Sequence, residues 1–83
     1  MNIIVPEYSE NGLSFLWEEG FSIKCSIDNT SVKIEANQAG LISLARHLLE
    51  LAQENVPEFE HIHLDEYNSL DDNSAELIIV KKD

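Results

Sequence analysis

The stretch that decides the fold runs through Val32-Lys33-Ile34-Glu35-Ala36-Asn37-Gln38-Ala39-Gly40-Leu41-Ile42-Ser43-Leu44-Ala45-Arg46-His47-Leu48-Leu49-Glu50-Leu51-Ala52. Up to Ala36, apolar and polar residues alternate, which is typical of a half-buried strand. From Gln38 onward, apolar residues recur every three or four positions, which is typical of an amphipathic helix. Asn37 stands at the change of period and is a favourable N-cap. The stretch therefore predicts a strand that leads directly into a helix.

The predicted helix runs from Gln38 to about Glu54, and Asn55 and Pro57 end it. Its predicted core face is apolar and consists of Leu41, Leu44, Ala45, Leu48 and Ala52, widened by Ile42, Leu49 and Leu51. The opposite arc is polar and is expected to face solvent: Ser43, Arg46, His47, Glu50 and Gln53. Gly40 in the first turn weakens the helix, but it would let a neighbouring backbone approach closely.

Strands are predicted on both sides of this helix. Before it, Phe21–Ile27 alternates and Asp28-Asn29 predicts a hairpin turn, while Leu13–Trp17 is a further strand candidate. Asn2–Val5, stopped by Pro6, is either an edge strand or a loose arm. After the helix, Phe59–Asn68 and Ala75–Val80 predict a hairpin around the polar segment Ser69–Ser74.

The register of this C-terminal hairpin stays open at the level of sequence. If Asp65 lies opposite Ala75, His61 and His63 share a face with Leu77 and Ile79. A slip of one residue places the histidines beside Ile78 and Val80 instead.

The order of strands, one helix and a final hairpin predicts an α+β fold, in which an antiparallel β-sheet has a single α-helix packed on one face. With 83 residues, the chain is expected to form one domain over residues 1–83. A domain of this size buries only a modest core.

The charge balance restricts the partners. Sixteen acidic residues and five basic residues give a formal charge of −11, which disfavours nucleic acid and anionic membranes and favours a basic protein surface. The one cysteine, Cys25, suits a reducing compartment and is expected to be a small buried hydrophobe. The first residues lack the features of a signal peptide, and no apolar run approaches ~20 residues. These observations predict a soluble cytoplasmic protein.

The segment His61-Ile62-His63-Leu64-Asp65 is the best candidate for a metal site. On a strand, positions i, i+2 and i+4 share a face, so His61, His63 and Asp65 would present two nitrogen donors and one oxygen donor to zinc or another divalent ion. The alternative is that the histidines are strand residues hydrogen-bonded to Asp65 or Glu76.

An acidic series forms the second candidate site: Asp65, Glu66, Asp71, Asp72 and Glu76, with Tyr67 among them. Carboxylates pair with Arg or Lys and can steer association, so the series predicts a partner-binding surface. A solvated loop and a calcium site are the alternatives, although the spacing of an EF-hand loop is missing. The chain has neither a nucleophile elbow nor a glycine-rich phosphate loop, and we predict no catalytic residues and no enzyme activity.

Four segments resemble a known family: Ala36-Asn37-Gln38-Ala39-Gly40-Leu41, Leu44 to Gln53, His61-Ile62-His63-Leu64-Asp65-Glu66-Tyr67-Asn68, and Ala75-Glu76-Leu77-Ile78-Ile79. The C-terminal half is similar to small bacterial proteins classed as predicted immunity proteins of polymorphic toxin systems. Those systems deliver a toxin to neighbouring cells and retain an immunity protein against it. The resemblance therefore implies a protein that binds and neutralises a cognate toxin.

Charge and resemblance together predict occlusion of a toxin with a basic surface, without a cofactor. The residues expected to bind are Asp65, Glu66, Tyr67, Asp71, Asp72 and Glu76, with Phe59 as a further anchor. Two alternatives stay open: a metal-binding protein or enzyme that uses His61, His63 and Asp65, and a structural homodimer without catalysis.

Overall fold

The computed structural model describes residues 1–83 and contains four strands and one helix. In chain order the elements are β1 (Ile23–Asp28), β2 (Ser31–Ala36), α1 (Gln38–Leu51), β3 (His61–Leu64) and β4 (Leu77–Val80). The strands pair as two antiparallel hairpins, β1 with β2 and β3 with β4. This arrangement confirms the α+β class with a single helix, with the strands divided between two small sheets. No helix is both long and apolar enough to cross a membrane.

The first hairpin follows the alternation in the sequence. Its register runs from Ile23 opposite Ala36 to Asp28 opposite Ser31, and Asn29 in the turn has a positive φ of 56°. Asparagine tolerates this left-handed conformation better than most residues, which explains the turn. Ile23 and Cys25 are buried, as the alternation predicts. The prediction of a half-buried face is wrong for the distal part of the hairpin, where Ile27, Val32 and Ile34 are exposed because the helix and the core cover only its base.

The second hairpin adopts the slipped register. His61 lies opposite Val80 and His63 lies opposite Ile78, so the histidines share the outer face with these two residues. The inner face carries Ile62 and Leu64, which are buried. A two-residue period thus places the polar side chains of β3 outward and its apolar side chains inward.

The two hairpins are joined through the segment that precedes β4. The backbone N–H of Asp71 donates to Ile23 O at 2.8 Å, and that of Ala75 donates to Cys25 O at 2.8 Å. Both hairpins therefore enclose one core, which consists of Ile23, Cys25, Leu51, Val56, Ile62, Leu64 and Leu70.

The helix begins where its capping residue predicts. Asn37 Oδ1 accepts the Gly40 N–H at 2.8 Å, which satisfies one of the free donors of the first turn. A Cβ atom at Gly40 would lie 2.5 Å from Ser22 O, so the missing side chain permits the close approach that the sequence suggested. The helix ends at Leu51, three residues before the predicted end.

The prediction of which helix face is buried is wrong. Ser43 is 0% exposed and His47 and Glu50 are each 1% exposed, whereas Leu41 is 55%, Leu48 41% and Leu49 50% exposed. Of the residues expected in the core, only Leu51 is buried, and Leu44 packs against the core in part. The apolar stripe at the surface, here called the leucine face, consists of four exposed residues, Leu41, Leu48, Leu49 and Ala52, and the half-buried Ala45.

The polar arc of the helix is buried because of the segment before β1, which forms no strand. Leu13–Trp17 was predicted as a strand, but Phe15 has a φ of 53° that interrupts any extended run, and Asn2–Val5 forms no strand either. Backbone groups without a ladder partner must find other hydrogen bonds. The polar arc of the helix supplies them, and it therefore faces this segment instead of solvent.

Specific contacts join the polar arc of the helix to the segment before β1. The N–H of Ser14 donates to Glu50 Oε2, and the N–H of Glu18 donates to Ser43 Oγ at 2.8 Å. The ring nitrogen Nε2 of His47 lies 3.1 Å from Leu16 O. Further bonds of the same kind join Arg46 to Ile4 O, and Gln53 to Tyr8 N and Pro6 O. These bonds fix the rotation of the helix and leave Leu41, Leu48 and Leu49 outside.

Candidate functional site

The outer face of the second hairpin brings a histidine and two carboxylates together. Nε2 of His63 lies 3.0 Å from Glu76 Oε2 and 3.6 Å from Asp65 Oδ2. One donor atom from each of the three residues lies within 4.8 Å of the others. His61 points to the same side of β3 but is not part of this cluster.

The register explains why Glu76 joins the cluster. The last ladder pair is Leu64 with Leu77, and Asp65 and Glu76 are the next residues on the two strands. Residues one pair beyond Leu64 and Leu77 return to the face of His63, because successive side chains alternate. Once the register is known, the meeting of these three groups follows from the sequence.

A turn fixes the orientation of the Asp65 carboxylate. Its Oδ1 atom accepts the N–H groups of Tyr67 at 2.9 Å and of Asn68 at 3.0 Å. Asn68 in turn accepts the Asp65 N–H and donates to His63 O, both at 3.0 Å. With Oδ1 occupied, Oδ2 is left on the side of His63.

The segment from Asp65 to Glu76, here called the acidic loop, is held to the rest of the fold. Leu70 is buried in the core, and Glu66 Oε2 accepts the Asn73 N–H at 2.8 Å. Lys24 Nζ donates to Asp72 O at 2.7 Å. Ser22 Oγ donates to Asp71 Oδ2 at 2.8 Å. These bonds tie the loop to Ser22 and Lys24 and join its two halves to each other.

The side chains at the surface of the acidic loop remain available. Tyr67 is 90% exposed, and Asp71, Asp72 and Glu76 are exposed. The side chain of Asp72 makes no ion pair, whereas the carboxylate of Glu76 lies 3.0 Å from His63 Nε2. The structure thus brings Asp65, Glu66, Tyr67, Asp71, Asp72 and Glu76 into one braced loop.

Few carboxylates of the chain are neutralised from within. Among the sixteen acidic residues, only Glu18 and Glu35 form ion pairs with an arginine or a lysine. Lys81, another of the five bases, donates instead to the backbone oxygens of Gln53 and Val56. The surface field is therefore strongly negative, which favours contact with cationic groups.

A shallow cleft of about 170 Å³ lies beside His63. Its walls come from the N-terminal segment and from β3 with the turn after it: Phe15, Trp17, His63, Leu64 and Asn68. The cleft adds apolar surface next to the carboxylates. The sequence could not predict it, because it depends on the irregular path of residues 13–18.

The titratable group most altered by the fold lies elsewhere. Burial lowers the pKa of His47 below its usual value near 6.5, and the Leu16 carbonyl and the Glu50 carboxylate oppose this shift only in part. The ring also meets Trp17 edge to face, with centroids 4.3 Å apart. Nδ1 of His47 and Oε1 of Glu50 are buried without a hydrogen-bond partner. The sequence placed this histidine in solvent, which is wrong.

The chemistry of the cluster and the loop is that of cation recognition. A carboxylate pair beside an imidazole can hold a divalent ion or pair with arginine and lysine of another protein. Each of these depends on exposed oxygen atoms, and none requires a deep pocket.

Fold and site define a small acidic α+β protein with a braced acidic loop on its surface. The model of a family described as Immunity protein 32 matches residues 31–82, which is 52 of the 83 residues. The chain belongs to this family of immunity proteins, and the resemblance seen in the sequence is confirmed. The match includes β2, α1, β3, β4 and the acidic loop. No curated protein and no solved structure matches the chain.

Proposed function

We propose that the protein binds a cognate bacterial toxin through the acidic loop and neutralises it by occlusion. The residues that make contact are Asp65, Glu66, Tyr67, Asp71, Asp72 and Glu76. They pair with arginine or lysine on a basic face of the toxin, which is a role in keeping with the immunity family. The protein acts as a binding partner and not as an enzyme.

The observation that carries this proposal is the excess of unpaired carboxylates. Two of sixteen acidic residues are paired with arginine or lysine inside the chain. Complementary charge raises association rates and excludes wrong partners, and charge-assisted pairs formed away from water add to affinity. An immunity protein must capture its toxin before the toxin acts, so a fast association rate serves this function directly.

The bracing of the loop supports the same proposal. A loop that must become ordered on binding loses conformational entropy, and this loss weakens the complex. Here Leu70, the turn at Asp65 and the bond from Asn73 to Glu66 hold the loop before binding. Tyr67 then presents an exposed aromatic ring, a residue type that often dominates binding energy at interfaces.

The expected place of action is the cytoplasm of the cell that keeps the immunity protein. Cys25 is buried and unpaired, which suits a reducing compartment. Occlusion there needs no cofactor and no membrane partner.

Co-expression tests the proposal. The probe is the toxin domain encoded beside the gene of this protein, produced in a host that lacks its own immunity. We expect wild-type protein to restore growth and to form a complex of one toxin with one immunity protein. Continued killing at equal expression of both proteins would refute the proposed function.

A double variant locates the contact. Tyr67→Ala with Asp72→Lys changes two side chains that make no hydrogen bond within the chain, so the fold should be retained. We expect at least a tenfold loss of affinity for the toxin domain, in line with the roughly 1–2 kcal/mol typical of important interface residues. The matched control is Ile4→Ala with Glu10→Lys, which changes an exposed apolar and an exposed acidic residue of the N-terminal segment. Equal losses in both variants would contradict the placement in the acidic loop.

A second candidate function is binding of a divalent cation by His63, Asp65 and Glu76. The specific observation is that one donor atom of each lies within 4.8 Å of the others. A nitrogen donor with two carboxylate oxygens suits zinc or a related ion. Two bonds from backbone N–H groups hold Asp65 in place, as outer partners do in metal sites.

Calorimetric titration of untagged protein with zinc separates the two histidines. We expect His63→Gln to abolish binding and His61→Gln to leave it unchanged, because only His63 is in the cluster. Loss of binding in His61→Gln would support the set His61, His63 and Asp65 that the sequence predicted. Absence of binding by the wild-type protein would remove the metal function.

A further inference from the structure

We propose that the leucine face of α1 is a second docking surface, and that its occupant is a protein with an apolar centre and a basic rim. Resting on the proposed function, this inference names the occupant as the same toxin. The acidic loop supplies charge and one aromatic ring, whereas the leucine face supplies the apolar contact that the loop lacks.

The first argument is the absence of charge on this face. Leu41, Ala45, Leu48 and Ala52 follow each other at intervals of four, three and four, so they form one stripe along the helix. The helix has only two residues of fixed charge, Arg46 and Glu50. Glu50 is buried, and the Arg46 side chain is 11% exposed and bonds to Ile4 O. A surface helix normally presents polar residues to water, which this one does not do.

The second argument is that the exposure is fixed and is not a consequence of a loose helix. Ser43, His47 and Glu50 each bond to the backbone of the N-terminal segment. Rotating the helix to bury its leucines would break all of these bonds and leave the backbone groups of residues 14–18 without partners. The fold therefore keeps the leucines at the surface while its polar arc stays inside.

The third argument identifies the occupant from the charges around the face. Glu18 and Glu19 line one cleft with Gln38, Ala39 and Ile42 at the start of the helix. Glu54 is exposed just beyond the other end. An apolar centre with a charged rim is the usual anatomy of a protein interface. Glu18 is paired with Arg46, and Lys81 bonds to Gln53 O near the end of the helix, so the negative balance around the face comes from Glu19, Glu54 and the formal charge of −11. The complementary partner has lysine or arginine around an apolar patch.

The same charges disfavour a second copy of this chain. In a two-fold pair, antiparallel helices place the start of one helix against the end of the other. Glu19 of one copy would then approach Glu54 of its partner, and each copy carries a formal charge of −11. Like charges in contact oppose association, so a basic partner fits the face better than self-association.

The test is a double substitution that removes apolar contact without changing charge. Leu41→Gln with Leu48→Gln retains helix propensity, because leucine and glutamine are nearly equal in it. The control is Ile27→Thr with Val32→Thr, which reduces exposed apolar surface on the first hairpin. Binding of the purified toxin domain is measured by calorimetry, and thermal unfolding checks the fold of each variant.

We expect the leucine variant to bind the toxin domain about tenfold more weakly, the control to bind within about threefold of wild type, and both to melt near the wild-type temperature. Unchanged affinity of the leucine variant, with wild-type protection intact, would overturn this inference alone. Failure of the wild-type chain to bind and protect would overturn the proposed function and this inference together. A wild-type dimer that Leu41→Gln with Leu48→Gln converts to a monomer would overturn the basic partner in favour of a second copy.

Discussion

In β3 the apolar side chains of Ile62 and Leu64 point into the core and the histidines point out. In α1, by contrast, Ser43, His47 and Glu50 are inside, and the leucine face is outside. Both elements have clear amphipathic sequences. They differ in what lies against them. The inner face of β3 meets other apolar side chains, but α1 meets a stretch of irregular backbone.

The comparison shows that amphipathicity predicts two faces and not which face is buried. A face is buried when its neighbour offers matching groups. Peptide groups of residues 14–18 have no strand partner. Hydrogen bonds to these groups stabilise the fold more than burial of Leu41 and Leu48 would. The exposed leucines are consequently available to a partner, and the acidic rim around them indicates its charge.

The largest expected effect tests the hairpin side of the comparison. Ile62→Ala removes a fully buried side chain and should lower the free energy of unfolding by about 2–5 kcal/mol. His61→Ala, one position away on the outer face, should change it by less than about 0.5 kcal/mol. Urea unfolding of the two variants checks this contrast, and a similar loss in both would mean that β3 does not alternate as described.

The buried histidine gives the helix side a pH dependence. Its folded-state pKa is lowered by burial, so below about pH 6.5 the unfolded chain takes up a proton that the folded chain does not. The free energy of unfolding should therefore fall as the pH decreases from about 6.5, by at most about 1.4 kcal/mol per pH unit from this group. Below the folded-state pKa of His47, the folded chain also binds the proton, and the free energy of unfolding stops falling on account of this group.

His47→Gln isolates that contribution, because glutamine does not titrate. Unfolding measured at pH 7.5 and at pH 5.5 should show a smaller decrease in the variant than in the wild type. The charged side chains beside the ring, Glu50 and Arg46, are common to both proteins. Equal decreases would contradict a buried, neutral imidazole.

The smallest expected effect concerns a single hydrogen bond of the polar arc. Ser43→Ala leaves the Glu18 N–H without its acceptor and should lower the free energy of unfolding by about 1 kcal/mol. Ser31→Ala, at an exposed position of β2, is the matched control and should have little effect. If thermal unfolding showed the same small loss of stability for Ser43→Ala as for the control, water would be accepting the Glu18 N–H hydrogen bond as well as Ser43 does.

Much of the fold could be predicted from local patterns. Alternation gave β1, β2 and the buried side of β3, Asn37 marked the start of the helix, and Gly40 indicated the close approach of a backbone. These features depend on neighbours in the sequence. The register of the last hairpin does not depend on sequence neighbours. A slip of one residue exchanges its two faces, and only packing in the whole core selects one register.

The site was predictable to the same extent. His63, Asp65 and the acidic loop stood out by residue type, but the part of Glu76 in the cluster required the register. The leucine face could not be predicted, because it depends on the path of residues 13–18. One signal was present in the sequence: the polar arc of Ser43, His47 and Glu50 consists of side chains that can replace a missing backbone partner.

Two adjacent positions of the helix test the central claim most directly. His47→Ala should lower the free energy of unfolding by about 2–4 kcal/mol, because it empties a buried site against Phe15 and Trp17. Leu48→Ala, one residue further along, should lower it by about 1 kcal/mol or less, since Leu48 is 41% exposed and does not pack against the core. Urea unfolding of both variants in one buffer measures the difference. A large loss for Leu48→Ala together with a small loss for His47→Ala would contradict the account, because the leucines would then form the buried face.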